Sequence, residues 1–174
     1  LDVELTLAVM GTYSSTAPFD CPKTEKIVAN LEKWLVDNDA GAGFLNSDAV
    51  FLLATGNPEL QGYVRRAAYK ILEKEIKPGP LDGSRVGKSW FNSADAFFLG
   101  EYYLATGDKN VLPHLKYACD KLAASQQPEG GWRHNFPGGF NYGYIPVAGL
   151  PGVMGMHFAK EAGVDINMKS YELG

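Results

Sequence analysis

The sequence predicts an all-α protein made of helical hairpins stacked side by side, with one short strand at its N-terminal end. Three observations carry that expectation. A unit of about 45 residues recurs along the chain, within the 20–50 residue range of repeat architectures. Inside each unit apolar residues return at helical spacing between capping residues and glycines. Beyond the first ten residues no convincing period-2 pattern occurs, so a sheet would lack its strands.

The strand comes first. Val3, Leu5, Leu7 and Val9 alternate with Asp2, Glu4, Thr6 and Ala8, the signature of a half-buried strand. One strand cannot satisfy its own ladder and needs partners. At the other end, Asn167 to Gly174 reads as a helix barely begun. The expectation is a piece of a longer chain, or a chain completed by its neighbours; frayed tails at both ends are the plainer alternative.

Between the ends lies the repeat. Asn46-Ser47-Asp48-Ala49-Val50-Phe51-Leu52-Leu53-Ala54-Thr55-Gly56 is echoed by Asn92-Ser93-Ala94-Asp95-Ala96-Phe97-Phe98 and then Leu104-Ala105-Thr106-Gly107. A weaker third copy ends Phe158-Ala159-Lys160-Glu161-Ala162-Gly163. Glycine and an aromatic precede each copy: Gly43-Phe44, Gly87 with Trp90, and Gly131-Trp132. The flanks match too, since Ala67 and Lys70 correspond to Ala118 and Lys121 at one offset.

Each unit reads as a hairpin. Ala94, Phe97, Phe98, Tyr102 and Ala105 form one apolar helix face, with Ser93 expected as N-cap and Gly107 as the residue past the C-terminus. The partner helix carries Leu112, Leu115, Cys119 and Leu122, and Pro113 fits its first turn, where a missing N–H costs nothing. The preceding unit has Val64, Ala67, Ala68, Ile71 and Leu72, stopped by Pro78-Gly79-Pro80. The third opens with a glycine-rich stretch and a helix over about 147–162, which Pro151 either enters early or splits.

Composition narrows the class. The 174 residues carry 16 Lys and Arg against 20 Asp and Glu, a formal charge of −4, with 45% hydrophobic and 21% charged residues, an ordinary globular balance. A nucleic-acid partner would call for a basic excess or basic runs, and neither occurs. No stretch approaches the roughly 20 apolar residues of a membrane span. Two cysteines cannot build a disulfide framework.

Gln126-Gln127-Pro128-Glu129-Gly130-Gly131-Trp132 has the form Q-x-x-x-G-x-W, four residues after Leu122. It resembles the repeat signature of the terpenoid-cyclase and protein-prenyltransferase superfamily, the α/α toroids. The resemblance, over about residues 25–174, implies inner helices wrapped by outer ones, with the Gln and Trp pinning the turn between successive hairpins. A Gln amide can bond exposed backbone at a helix end, and a Trp face can pack beneath it. More narrowly, the run from Val9 to Lys23, with Glu101 to Asp108 and Ala148-Gly149-Leu150-Pro151, resembles a bacterial family in which a PDZ-like domain runs into an α/α toroid. This implies that residues 1–22 end a PDZ-like domain and its linker, and that 23–174 are a partial toroid. It implies no reaction.

Catalytic signatures are thin. The Asp-rich acid motif of terpene cyclases has no match; Asp37-Asn38-Asp39-Ala40-Gly41 comes nearest, in a turn where such residues serve the backbone. Prenyltransferases hold zinc through Asp, Cys and His, but Cys119, beside Asp120, falls on an apolar seam and reads as a small buried hydrophobe. Cys21 lies in a Pro-flanked turn without a neighbouring His. His114 is expected to be solvated and His157 to be a satisfied core residue. Asp48 and Asp95 open successive inner helices and could face one cleft as paired carboxylates; the helix dipole alone also favours acids there. The sequence assigns no catalytic residue, no metal and no cofactor.

Two functions follow. One is a helical-repeat scaffold or ligand-binding domain of a larger protein. Its partners would be the remainder of its own polypeptide, or a second copy across the exposed repeat edge. The other is a fragment of an α/α-toroid enzyme acting on a glycan or isoprenoid. In either, the N-terminal ends of the inner helices should converge on one rim, where free N–H groups favour anionic or hydroxyl-rich ligands. The expected pocket residues are Trp90, Asp95, Trp132, Arg133, His134 and Tyr142.

Overall fold

The computed structural model of the chain describes residues 14–38, 44–134 and 143–174. The expected strand at residues 3–9 lies outside them. Every regular element among the described residues is helical. No helix among them is long and apolar enough to cross a membrane. The chain divides into two units between residues 40 and 41.

The first unit contains helix α1, Pro22–Asp37, which the repeat does not announce. Pro22 occupies its first position, where proline is preorganised for a helix. Asn38 closes it, with its side-chain amide donating to the Trp34 carbonyl at 2.8 Å.

The second unit holds the hairpins. Helices α2 (Ser47–Ala54) and α3 (Gln61–Leu72) form the first. A short helix α4, Gly83–Val86, leads into α5 (Ser89–Thr106), which pairs with α6 (Leu112–Ser125) as the second. Helix α7 (Pro146–Glu161) and the six-residue α8 (Met168–Leu173) follow. Pro151 lies inside α7, which runs through it unbroken.

The repeat is visible in burial. At one offset of 51 residues, Val64, Ala67, Ala68 and Ile71 on α3 correspond to Leu115, Ala118, Cys119 and Leu122 on α6, and all eight are buried. Cys119 thus fills the place of an alanine. Burial pushes its thiol up to about 12, so it stays a neutral apolar group.

The hairpin turns repeat as well. Gly56, Gly107 and Gly163 end α2, α5 and α7 with φ of 65°, 69° and 74°, the left-handed form that glycine adopts without strain. In the first two turns a threonine hydroxyl bonds back into its helix: Thr55 to Leu52 O at 2.9 Å and Thr106 to Tyr102 O at 2.7 Å. Asn57 and Asp108 then cap the next turn by accepting from Glu59 N and Asn110 N.

Helix α5 is the centre of this unit, in contact with α2, α3, α6 and α7. It approaches α7 closely because small residues face each other. A Cβ on Gly155 would fall 2.7 Å from both Ala96 Cβ and the Phe97 backbone nitrogen, and one on Gly100 would fall 2.6 Å from Phe158 Cβ. Ser93 corrects the sequence reading. It does not cap α5, which begins four residues earlier; its hydroxyl, inside the helix, serves Ser89 O at 2.9 Å and Ala148 O of α7 at 2.7 Å. A serine hydroxyl within a helix satisfies itself on backbone carbonyls, and the second bond ties α5 to α7.

Candidate functional site

The N-terminal ends of α2 and α5 and the segment after α6 do meet. Asn46, at the entry to α2, donates to Asp95 Oδ1 at 3.1 Å, and the His134 ring lies 4.8 Å from that of Trp90. Lys88 and Phe91 flank Trp90, and Arg133 lies over the Tyr144 ring at 5.8 Å. Tyr142 lies outside the described residues. Asp95 is in the second turn of α5, not its first, so the helix dipole does not account for it. Both its oxygens are engaged: Lys74 Nζ contacts Oδ2 at 2.6 Å. It ties the end of α3 to the start of α2. Asp48 remains in the first turn of α2, where the dipole account suffices.

Trp132 does not line an open pocket. It is 1% exposed, with its indole N–H donating to Leu122 O at 2.8 Å. Gln126 donates to Gly130 O at 2.8 Å and to Ser170 O at 2.9 Å, and accepts from the Ser170 hydroxyl at 2.6 Å. This one amide joins the turn after α6 to α8. Gly130, at φ 100°, lets the backbone pass Leu173 O, which a Cβ would meet at 2.1 Å. The residues of the Gln–Trp motif therefore brace the turn and anchor the next element.

One histidine differs from expectation. His157 is exposed and not in the core; its Nδ1 and the Tyr171 hydroxyl are 3.1 Å apart and the rings stack. His114 is half-buried, and its Nε2 donates to Lys74 O at 2.9 Å. Cys21 begins α1, shielded from solvent. The Ser14 N–H, then the Thr24 side chain and N–H, lower its thiol to about 6 against that burial. Among the described residues no three His, Cys, Asp or Glu are grouped to hold a metal ion.

A cavity of about 530 Å³ opens at the opposite end of α5, between the two threonine–glycine turns. Leu52, Leu53, Val64 and Ala105 form its apolar wall, and Asn57, Gln61, Arg65, Tyr69, Tyr102, Thr106, Asp108 and Asn110 bring polar groups. Its volume falls within the range of small-molecule sites.

Asp108 organises the polar side. Oδ1 accepts from Asn110 N at 3.1 Å and Asn110 Nδ2 at 2.8 Å; Oδ2 accepts from the Tyr69 hydroxyl at 3.0 Å and the Tyr102 hydroxyl at 3.4 Å. Burial pushes this carboxyl up. The hydrogen bonds, led by Asn110 N–H and the Tyr69 hydroxyl, outweigh it and hold the group below the usual carboxylate range. Burial, and then the Asp108 charge, raise the Tyr102 phenol, which stays protonated and donating. Arg65 lies over the Tyr69 ring at 4.9 Å and donates to its hydroxyl at 3.4 Å.

Sequence reasoning missed this cavity because its residues come from α2, α3, α5 and two turns. The available signal was Thr-Gly-Asn and Thr-Gly-Asp recurring at the repeat offset, which reads as a helix terminator and also marks the two rims of the opening. No curated protein and no solved structure matches the chain. One family does, over residues 24–172, which take in every helix from α2 to the last turn of α8. The chain belongs to the family described as "Domain of unknown function (DUF6288)".

Proposed function

We propose that the chain is a helical-repeat ligand-binding domain of a larger protein, with the cavity between the two threonine–glycine turns as its binding site. The single observation that carries this reading is the cavity itself: an apolar wall faced by a polar network whose hydroxyl directions Asp108 sets. Such a wall with a few fixed polar groups is the common form of a small-molecule site.

The partial α/α toroid is part of the same proposal, with residues 1–22 closing a preceding PDZ-like domain. It is supported by the burial match between α3 and α6 and by the Gln126 anchor on α8. Val147, Leu150 and Met154, spaced along α7, are exposed, Leu150 by 67%. An open apolar edge of this kind favours the rest of the polypeptide, or a second copy, as partner.

Binding is favoured over catalysis by the state of Asp108. A carboxylate that accepts four hydrogen bonds is a poor proton acceptor. The test is Ala105→Trp, at an exposed wall position. Small organic molecules that raise the Tm of the parent should leave that of the variant unmoved, with the two unliganded proteins melting alike. Equal ligand-induced shifts in both would place binding elsewhere.

A further inference from the structure

Arg65 is left without an acid by a difference between the two hairpins. On α6 the equivalent positions are Lys116 and Asp120, one helical turn apart and paired at 3.0 Å; Lys116 also donates to Asp165 O at 3.0 Å. On α3 they are Arg65 and Tyr69. The acid of the pair is thus a neutral phenol in the first hairpin, and among the described residues Arg65 makes no ion pair. Its hydrogen bond is the 3.4 Å one to Tyr69, which leaves most of its five donors unused.

The Asp108 charge acts on Arg65 only at a distance, with the Tyr69 hydroxyl between them. Both Asp108 oxygens are filled by Asn110, Tyr69 and Tyr102, so the carboxylate cannot also receive a ligand's donor. The ring of Tyr69 holds the guanidinium over the opening. Gln61, one turn earlier on α3, adds an amide to the same wall. The cavity therefore presents one cation, hydrogen-bond donors and an internally satisfied carboxylate on its polar side and hydrocarbon on the other.

We propose that this cavity takes a small organic carboxylate with an apolar body. The carboxylate meets Arg65 and the body lies against Leu52, Leu53, Val64 and Ala105. The proposal rests on reading the cavity as the binding site. A planar guanidinium matches a carboxylate through two parallel hydrogen bonds, a geometry that an ammonium cannot reproduce.

The experiment is titration calorimetry of the whole chain with sodium hexanoate, 1-hexanol and hexylamine, three probes that share one tail. Hexanoate should bind saturably, about tenfold or more tighter than hexanol, and hexylamine should not saturate. In Arg65→Gln the hexanoate preference should vanish while hexanol is unchanged. Arg65→Lys should recover only part of it. Urea midpoints for both variants should match the parent, because the side chain is exposed. Equal affinity for hexanoate and hexanol in the parent, no saturable hexanoate binding, or a preference that survives Arg65→Gln would each overturn the proposal. Ala105→Trp separates the two levels: if it blocks hexanol while hexanoate holds no advantage, the site stands and the anion assignment falls. If it weakens no probe that binds, the site itself falls.

Discussion

Replacing Trp132 by alanine should cost about 3–5 kcal/mol of stability, the range for deleting a large buried aromatic. Three consequences combine. The ring is 1% exposed, so a cavity of nearly its own size remains. Leu122 O loses the indole donor at 2.8 Å and keeps the Ser125 hydroxyl at 3.1 Å, so a buried carbonyl gives up its shorter bond. The turn that Gln126 pins to Gly130 and Ser170 also loses its floor. Urea unfolding followed by far-UV circular dichroism reads the change directly. A loss below about 1 kcal/mol would mean that Trp132 is replaceable packing and that the Gln–Trp turn does not brace the repeat.

Gly155→Leu should be comparably damaging, for the opposite reason. The first added carbon would fall 2.7 Å from the Phe97 backbone nitrogen. Backbone cannot rotate away as a side chain can, so α5 and α7 must separate. Ser93 would then lose its bond to Ala148 O. Overpacking of a tight interior typically costs about 1–3 kcal/mol, and a helix-wide separation belongs at the upper end. Gly149→Leu, on the same helix but with open space around its Cβ position, provides the control. Similar urea midpoints for the two variants would contradict the close α5–α7 contact.

The hairpins were legible because their determinants are local. Most of the apolar residues at helical spacing on α3 and α6 are buried, Leu72 and Leu112 only half so. Gly107, expected past the end of α5, has the required positive φ, as do Gly56 and Gly163 at the ends of the other repeat copies. The start of α5 was not legible. Its N-cap is Lys88, which cap preference would not choose, and Ser93, a good cap by type, lies inside the helix with its hydroxyl on Ala148 O, 55 residues away. The same limit applied to Asp95, whose partners Asn46 and Lys74 lie on other elements. The sequence reading also favoured the N-terminal ends of the inner helices as the rim, since unpaired N–H groups are a property of every helix start. The cavity at the other end depends on Tyr69 and Tyr102 converging on Asp108. Helical periodicity marks one of these as a face residue and says nothing of the rest.

The repeat gives a physical account of why the cavity lies where it does. Between the second hairpin and the turn after α7, Lys116 spans to Asp165 O and is neutralised by Asp120. Between the first hairpin and the second, the corresponding cation stands over a phenol, and the space beside it is open. One architecture thus yields a self-satisfied junction in one place and a receptive one in the other.

That contrast is tested most directly by methyl NMR of the isotopically labelled chain titrated with hexanoate. Shifts should be confined to the methyls of Leu52, Leu53, Val64 and Ala105, which line the cavity. Those of Leu115, the counterpart of Val64, and of Ala118 and Leu122 further along α6 should stay unmoved. Perturbation centred on Ala94 near the N-terminal rim, or on the second hairpin, with the cavity methyls silent, would contradict the account.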